Sequence, residues 1–363
     1  MSDQINSPMV SVIVPMYNQR RYIDACLKSI SRQTYRNFEV LVVNDGSTDD
    51  SPMKARRWAE CDNRIKVIDK SNGGVAEARR DGLIRSVGEY VAFVDSDDLL
   101  PPRALEILVG SVMESGADLS FGAVSKKLGF VQKRHMDKML SFPCNQVICQ
   151  PELFDKYFVG FYKNSVFPAS MWGRLYRKSV IDKAMRETEL FDKEVSRMGE
   201  DQFFNLKLFP YLKSMYRTDK IVYIYRYGGG TNQFNPHFPQ LFVSSDKRLK
   251  LLDKYQYNDG YASLFAEYVA CLYFHASRLI SCREEDKQGV ISFFEHEVEK
   301  RELMPRLEAY YAENSTNDSR VQLLLKHDYV GMYQYAFDLA HQHKGSLKQK
   351  AKSLIISLLK RFS

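Results

Sequence analysis

Apolar runs alternate with stretches of helical spacing at intervals of about 25 residues over roughly the first 120 positions, and few architectures accept that pattern. Residues 9–15, 38–43, 65–68 and 89–94 are short runs rich in Val and Ile, as strands buried on both faces require. Between the first two, residues 20–33 carry Ile23, Leu27 and Ile30 on one helical face. A second helix, capped by Ser47, Thr48 or Asp49, is expected to reach about Glu60. A third opens at Asn72-Gly73-Gly74 and reaches about Ser86, and a fourth runs from Pro101-Pro102 to about Ser115. Asp118 to Gly122 resembles a fifth strand. Right-handed crossovers put the C-terminal ends of such strands on one edge of a parallel sheet. Tyr17, Asn18, Asp45, Asn72 and Asp95 to Asp98 are therefore expected to meet there, although up to 80 positions separate them.

The fourth run ends abruptly in Asp95-Ser96-Asp97-Asp98. Ligands of open α/β sheets bind in the crevice beyond the strand ends. Carboxylates this close repel one another unless something positive is present. A divalent metal shared with a phosphorylated ligand fits, because Mg²⁺ is typically held by one or two carboxylates plus substrate phosphates. A solvated acidic turn is the alternative reading of these four residues taken alone. Neither a Walker A pattern nor GxGxxG follows the first run, which argues against a P-loop enzyme or a standard dinucleotide-binding domain.

Charge placement excludes other classes. The formal net charge is +7, and the six basic residues after the last acid, Asp338, account for most of it. A nucleic-acid binder carries its basic residues on the folded body, and here that body is near neutral, so no nucleic-acid partner is expected. The six Cys show no CxxC spacing and no zinc-like cluster with His, and are read as reduced thiols. Residues 1–8 are polar, which gives no signal-peptide pattern, and no run of about 18 apolar residues suggests a membrane span.

Several motifs now line up in order. They are Ser11-Val12-Ile13-Val14-Pro15-Met16-Tyr17-Asn18, Gln33-Thr34-Tyr35, and Glu39-Val40-Leu41-Val42-Val43-Asn44-Asp45-Gly46-Ser47-Thr48-Asp49. Asn72-Gly73-Gly74 with Ala78-Arg79, and then Gly88-Glu89-Tyr90 through Asp98, complete them. Together they resemble the family 2 glycosyltransferases, closely over about 1–125 and more loosely to about 230. The resemblance implies a GT-A fold, an α/β Rossmann-like and mostly parallel sheet, followed here by a helical C-terminal module. It implies an inverting transfer from a nucleotide-diphosphate sugar, most simply a UDP-sugar, with Mn²⁺ or Mg²⁺ as cofactor. Arg80 departs from the family, whose members commonly have Asn there.

Carried onto this chain, the family pattern makes Asp97 the primary metal ligand and Asp95 a ribose or metal-water ligand. Pro15, Tyr17, Asn18, Asn72 and Ser96 would line the nucleotide-sugar site, Asp45 would accept from the base, and Arg79 would meet the base or diphosphate. Met198-Gly199-Glu200-Asp201 precedes an apolar helix, and two acids in a first turn suit the helix dipole without any further role. The resemblance makes Asp201 the catalytic base, with Glu200 in reserve. Met171-Trp172-Gly173-Arg174-Leu175-Tyr176 resembles the family's Trp-x-Lys-Leu-Tyr segment, with Arg174 in place of Lys. Trp172 either stacks on a sugar or plugs the core beneath the site.

The expected domains are 1–235 (a nucleotide half at 9–125 and an acceptor half at 126–235), a helical module at 236–345 and a basic amphipathic helix at 346–363. Basic residues 126–138 read as an exposed loop or an acceptor lid, Gly228-Gly229-Gly230 as a hinge, and His237 as a surface residue or third metal ligand. Helical periodicity is clear in Tyr261 to Ile280 and Val290 to Leu303, with a polar break at Asn314 to Ser319. This module reads as core packing, assembly (including homo-oligomers) or acceptor presentation. In 346–363, Leu347, Ala351, Leu354, Ile355, Leu358, Leu359 and Phe362 share one face and every charge is basic. Such a helix suits an anionic membrane surface or docks on the protein. The expectation is a cytoplasmic protein, peripheral on the inner face of the membrane, with a saccharide or lipid-linked saccharide acceptor in bacterial surface polysaccharide synthesis.

Other classes fit less well. A sugar-nucleotide pyrophosphorylase needs a Gly-rich basic loop after the first strand, where Met16-Tyr17-Asn18-Gln19 stands. A catalytically inactive binder or scaffold of the same pathway predicts that one acidic motif is lost, and both are intact. A metal nuclease lacks its basic groove.

Overall fold

A computed structural model describes residues 7–128, 131–135, 142–158, 170–226 and 235–345. The chain divides into two compact units, Met1–Gly229 and Gly230–Ser363.

Unit one is built on a nine-stranded sheet with order β3-β2-β1-β4-β8-β5-β9-β7 and β6 paired to β5. The strands β1 (Val10–Met16), β2 (Phe38–Asp45), β3 (Ile65–Lys70) and β4 (Tyr90–Phe93) are parallel neighbours. β1 and β2 are buried along their whole lengths, the reason their sequences run apolar without alternation. The helices α1 (Ile23–Ser31), α2 (Ser51–Cys61), α3 (Val75–Arg85) and α4 (Ala104–Ser115) make the crossovers. On α1, Ile23, Cys26, Leu27 and Ile30 are buried, the expected helical stripe. Burying each large apolar side chain of that kind stabilises the fold by about 1.5–3 kcal/mol.

The strand order matters for function. The chain moves outward from β1 to β2 and β3, then returns to place β4 on the other side of β1. The crevice between the ends of β1 and β4 is thus the switch point at which open α/β sheets bind ligands.

Beyond β4 the sheet becomes mixed. β8 (Arg174–Arg177) is antiparallel to both β4 and β5 (Leu119–Leu128), so it separates two strands that sequence alone makes adjacent in order. β9 (Ser214–Arg226) is parallel to β5 and starts six residues before the apolar run that marks it in the sequence. β7 (Val147–Cys149) closes that side of the sheet. The loop expected at 126–138 is corrected: β5 continues to Leu128 and pairs antiparallel with β6 (Val131–His135), Lys126 opposite Lys133. Residues 129–130 and 136–138 of that stretch lie outside the described residues, as do the 227–232 glycine run and the 346–363 tail. Helix α5 (Lys178–Glu187) and α6 (Glu200–Leu208) complete the unit.

Unit two contains α7 (Gln240–Tyr255), α8 (Tyr261–Arg278), α9 (Lys287–Lys300), α10 (Leu303–Glu313), α11 (Ser319–Leu325) and α12 (Tyr329–Gly345). Leu264, Phe265, Tyr268, Val269, Leu272, Tyr273 and Ala276 of α8 are buried, with helical spacing throughout. Arg248 is buried and forms a two-pronged pair with Glu267, at 2.9 Å on each prong. Asp286 and Asp318 cap α9 and α11 by accepting from Gly289 N and Arg320 N. His237 lies in this unit, where its backbone N donates to Asn235 Oδ1. Among the described residues no helix is long and apolar enough to cross a membrane. All six cysteines are free thiols.

Candidate active site

β4 delivers its acids through a tight turn. Val94 N still bonds to Ile13 O at 3.0 Å, and then Asp98 N turns back to Asp95 O at 2.9 Å. One carboxylate oxygen each from Asp95, Asp97 and Asp98 lies within 4.8 Å of the others. Asp98 is fully buried: its Oδ2 accepts from Tyr223 Oη at 2.9 Å and its Oδ1 from Arg226 N at 2.8 Å. It is no helix cap; Arg103 occupies that position before α4. Tyr223 Oη also accepts from Asp95 N at 3.1 Å. Arg226 Nε donates to Asp97 O, and its guanidinium lies over the Tyr22 ring. Burial pushes the Asp98 carboxyl up to about 8, with the charges of Asp97 and Asp95 adding to it. Burial raises Asp97 and Asp95 as well.

The second acidic pair comes from α6. Gly199, at φ 83°, supplies the left-handed turn that starts the helix. Glu200 and Asp201 then share one arginine with the β4 end. Arg79 Nη1 donates to Glu200 Oε1 at 3.0 Å and to Asp201 Oδ1 at 2.5 Å, while Nη2 donates to Asp95 Oδ1 at 2.9 Å. Its guanidinium is buried, and these carboxylates hold its charge firmly. Asp201 Oδ2 accepts from Met171 N at 3.3 Å. Burial drives the Glu200 carboxyl upward, and the neighbouring Asp201 adds to it. Arg79, expected at the base or diphosphate, instead spends both terminal nitrogens on carboxylates.

The residues assigned to the nucleotide form the rim, and several of them hold each other. Asp45 is buried and accepts from Lys70 Nζ at 2.7 Å, Gly73 N at 2.8 Å and Gly74 N at 2.8 Å. Asn72 Nδ2 donates to Asp45 O at 2.9 Å, and its Oδ1 accepts from Arg197. Asn18, at φ 53°, takes Thr48 N on its Oδ1 at 2.8 Å and gives its own N to Ser47 Oγ at 3.0 Å. The β1 and β2 loops are thereby stitched together. Pro15 sits in β1 opposite Val43, Ser96 is buried, and Tyr17 is 46% exposed. Of the rim residues, Tyr17 offers the largest open aromatic face.

Trp172 stacks on Tyr223 with ring centroids 4.6 Å apart and planes 11° apart, and packs against the main core. One ring face is therefore taken by the core. Arg174 is buried and donates to Asn205 Oδ1 at 3.0 Å, which also accepts from Tyr176 Oη at 3.2 Å. Asn205 Nδ2 in turn bonds Asp201 O at 2.7 Å. Tyr223 and Arg226 were not singled out from sequence. The available signal was the alternation Tyr223-Ile224-Tyr225-Arg226, which puts Tyr223 and Tyr225 on one face just before the glycines.

The donor set suits a divalent cation. Three carboxyl groups stand at this strand end, of which Asp95 is bonded by the Arg79 guanidinium while that of Arg226 bonds the Asp97 backbone carbonyl, and hard oxygen donors are the ligands Mg²⁺ and Mn²⁺ prefer. With Asp98 committed to Tyr223 and Arg226, Asp97 and Asp95 are the residues that would hold the ion.

A sequence model described as Glycosyl transferase family 2 matches residues 11–184. Glycosyltransferase GlyA of Streptococcus pneumoniae is 32% identical over 228 residues, covering 61% of this chain and 31% of the relative. Uncharacterized glycosyltransferase EpsJ of Bacillus subtilis is 33% identical over 219 residues, covering 60% of this chain and 61% of the relative. The chain thus spans under two thirds of either relative's length. Among solved structures, S. aureus TarS 1–349 superposes with a TM-score of 0.61 at 20% identity, over 92% of this chain and 91% of that one. TarS 1–349 in complex with UDP-GlcNAc gives the same TM-score of 0.61 at 20% identity, over 92% of both chains. These structural likenesses bear on the fold, which is GT-A.

Proposed function

Because residues 11–184 belong to glycosyl transferase family 2, we propose that the chain moves a sugar from a nucleotide-diphosphate donor to an acceptor hydroxyl, with inversion. A UDP-sugar is the donor of this reading, in keeping with the UDP-GlcNAc complex of the TarS neighbour. The acceptor is a saccharide or lipid-linked saccharide of a bacterial surface polymer. The observation that carries the proposal is the meeting of Asp95-Ser96-Asp97-Asp98 and Glu200-Asp201 across one arginine, beside the switch point of the sheet.

Asp201 is the general base. Its Oδ2 takes the acceptor proton as the acceptor oxygen attacks the anomeric carbon. The glycosidic C–O bond breaks on the opposite face, and its electron pair leaves with the diphosphate. Asp97, with Asp95, would hold Mn²⁺ or Mg²⁺, which supplies Lewis-acid stabilisation of the charge developing on the leaving group. Asp98, Tyr223 and Arg226 keep that strand end rigid. Tyr17 packs on the base at the rim, with Pro15, Asn18, Asp45, Asn72 and Ser96 shaping the pocket. Residues 346–363 belong to the same reading as a basic amphipathic contact with an anionic membrane, and their deletion should abolish binding to anionic liposomes.

The test is a donor screen over nucleotide sugars with Mn²⁺ and Mg²⁺. Asp97→Ala is expected to lose metal-dependent turnover by about a hundredfold or more, and Asp201→Asn to lose transfer by about 10²–10⁴-fold. Full turnover and metal dependence in Asp97→Ala would refute the metal assignment. Wild-type transfer by Asp201→Asn would place the base elsewhere.

A further inference from the structure

Helix α3 touches both chemical centres of the unit. At its N-terminus, Gly73 N and Gly74 N hold Asp45, and Ala76 N donates to Ser196 O at 3.0 Å. Asn72 clasps Arg197 just above, so the segment leading into Glu200 and Asp201 is pinned to the nucleotide loop. One turn further along α3, Arg79 reaches Asp95 with one nitrogen and Asp201 with the other.

We propose that Arg79 is a positioning residue for the acceptor-activating carboxylate: it holds Asp201 by Oδ1, turns Oδ2 to the acceptor, and registers that base against the donor-side strand end at Asp95. This inference rests on the functional reading above. Three features support it over a direct role in donor binding. Both terminal nitrogens already face protein carboxylates, and the side chain is only 3% exposed. Its Nε is buried with no hydrogen-bond partner among the described residues, so the guanidinium is seated for its two outer nitrogens and not for an even set of contacts. A forked cation is also what the geometry demands. The partners come from two elements, and a planar guanidinium spans them where a point-charged ammonium reaches one side at a time.

A displaced base is costly, because an error of about 1 Å in a reacting group lowers rates by about 10²-fold. The test is a double-mutant cycle on the whole chain, with Arg79→Lys, Asp201→Asn and the pair, reading kcat and KM for transfer, and donor affinity by calorimetry. Arg79→Lys is expected to lower kcat for transfer about 10²-fold, to change donor affinity less than about threefold, and to cost nothing further in the Asp201→Asn background. Full additivity would overturn the inference. So would a donor affinity weakened more than tenfold at unchanged kcat, which would make Arg79 a donor ligand. Glu200→Gln gives a second reading that does not depend on Arg79→Lys folding. With one competitor for Nη1 neutralised, its transfer should stay at least tenfold above that of Asp201→Asn, and an equal loss would overturn the inference. A wild-type protein inert toward every donor would remove the functional reading itself, whereas an active wild type with an additive cycle removes only the role of Arg79.

Discussion

Asp98 and Tyr223 show how much work a single side chain does at the acidic end of β4. Asp98 belongs to the sequence motif, yet its two oxygens bind Tyr223 Oη and Arg226 N. Its task is to tie the motif to β9. Tyr223→Phe removes a hydroxyl that serves both Asp98 Oδ2 and Asp95 N, while leaving the ring stacked on Trp172. The expected loss is about 1–3 kcal/mol of stability, read from urea unfolding, because two buried polar groups lose a partner. The same residues predict a metal effect. A cation held by Asp97 and Asp95 stabilises only the folded state, so millimolar Mn²⁺ should raise the melting temperature of the wild type and leave that of Asp97→Ala unmoved.

At the scale of elements, α3 and β9 organise the site. α3 was legible as a helix from its glycine start and its length. Its function was not, because the partners of Arg79 lie 121 and 122 positions away. β8 was hidden for a different reason. Arg174-Leu175-Tyr176-Arg177 has two arginines in four residues, and it takes a distant partner, Asn205, to help make the buried one acceptable. Gly74 tests how tightly α3 is registered. It sits at φ 97°, and a Cβ there would lie 3.0 Å from Ser196 O. Gly74→Ala should therefore lower stability by at least about 1 kcal/mol and depress transfer more than donor hydrolysis, since the strain falls on the segment before Asp201.

Across the whole molecule the two units differ in what holds them. Unit one rests on a sheet whose apolar strands are covered by helices, and unit two on helix packing with a few buried ion pairs. His275 of α8 stacks on Phe238 at 4.9 Å, with Phe242 and Phe293 also near. Burial pushes its imidazole down to about 4 from an ordinary 6.5. The folded state therefore stays neutral while the unfolded chain takes up a proton. The contribution of His275 to stability is full above about pH 6.5 and falls as pH drops toward 4, by about 3 kcal/mol at most. The urea midpoint at pH 5, taken relative to that at pH 7.5, should be higher in His275→Leu than in the wild type, and no change would argue against a buried neutral imidazole.

The local chemistry of this protein was readable in its residues. Continuous apolar runs specified buried strands, glycines marked where α3 and α6 begin, and Asp95 to Asp98 emerged at a strand end, whereas the N-cap of α2 is Asp50 and not Ser47, Thr48 or Asp49. Those features depend on neighbours a few positions apart, which the chain carries wherever it goes. The tertiary structure decided the rest. It placed β4 beside β1 to open the crevice, slid β8 between β4 and β5, and closed Arg79 onto Asp95, Glu200 and Asp201. Those outcomes depend on which distant surfaces pack together. A guanidinium reads the same in the sequence whether it ends against a phosphate or against a carboxylate.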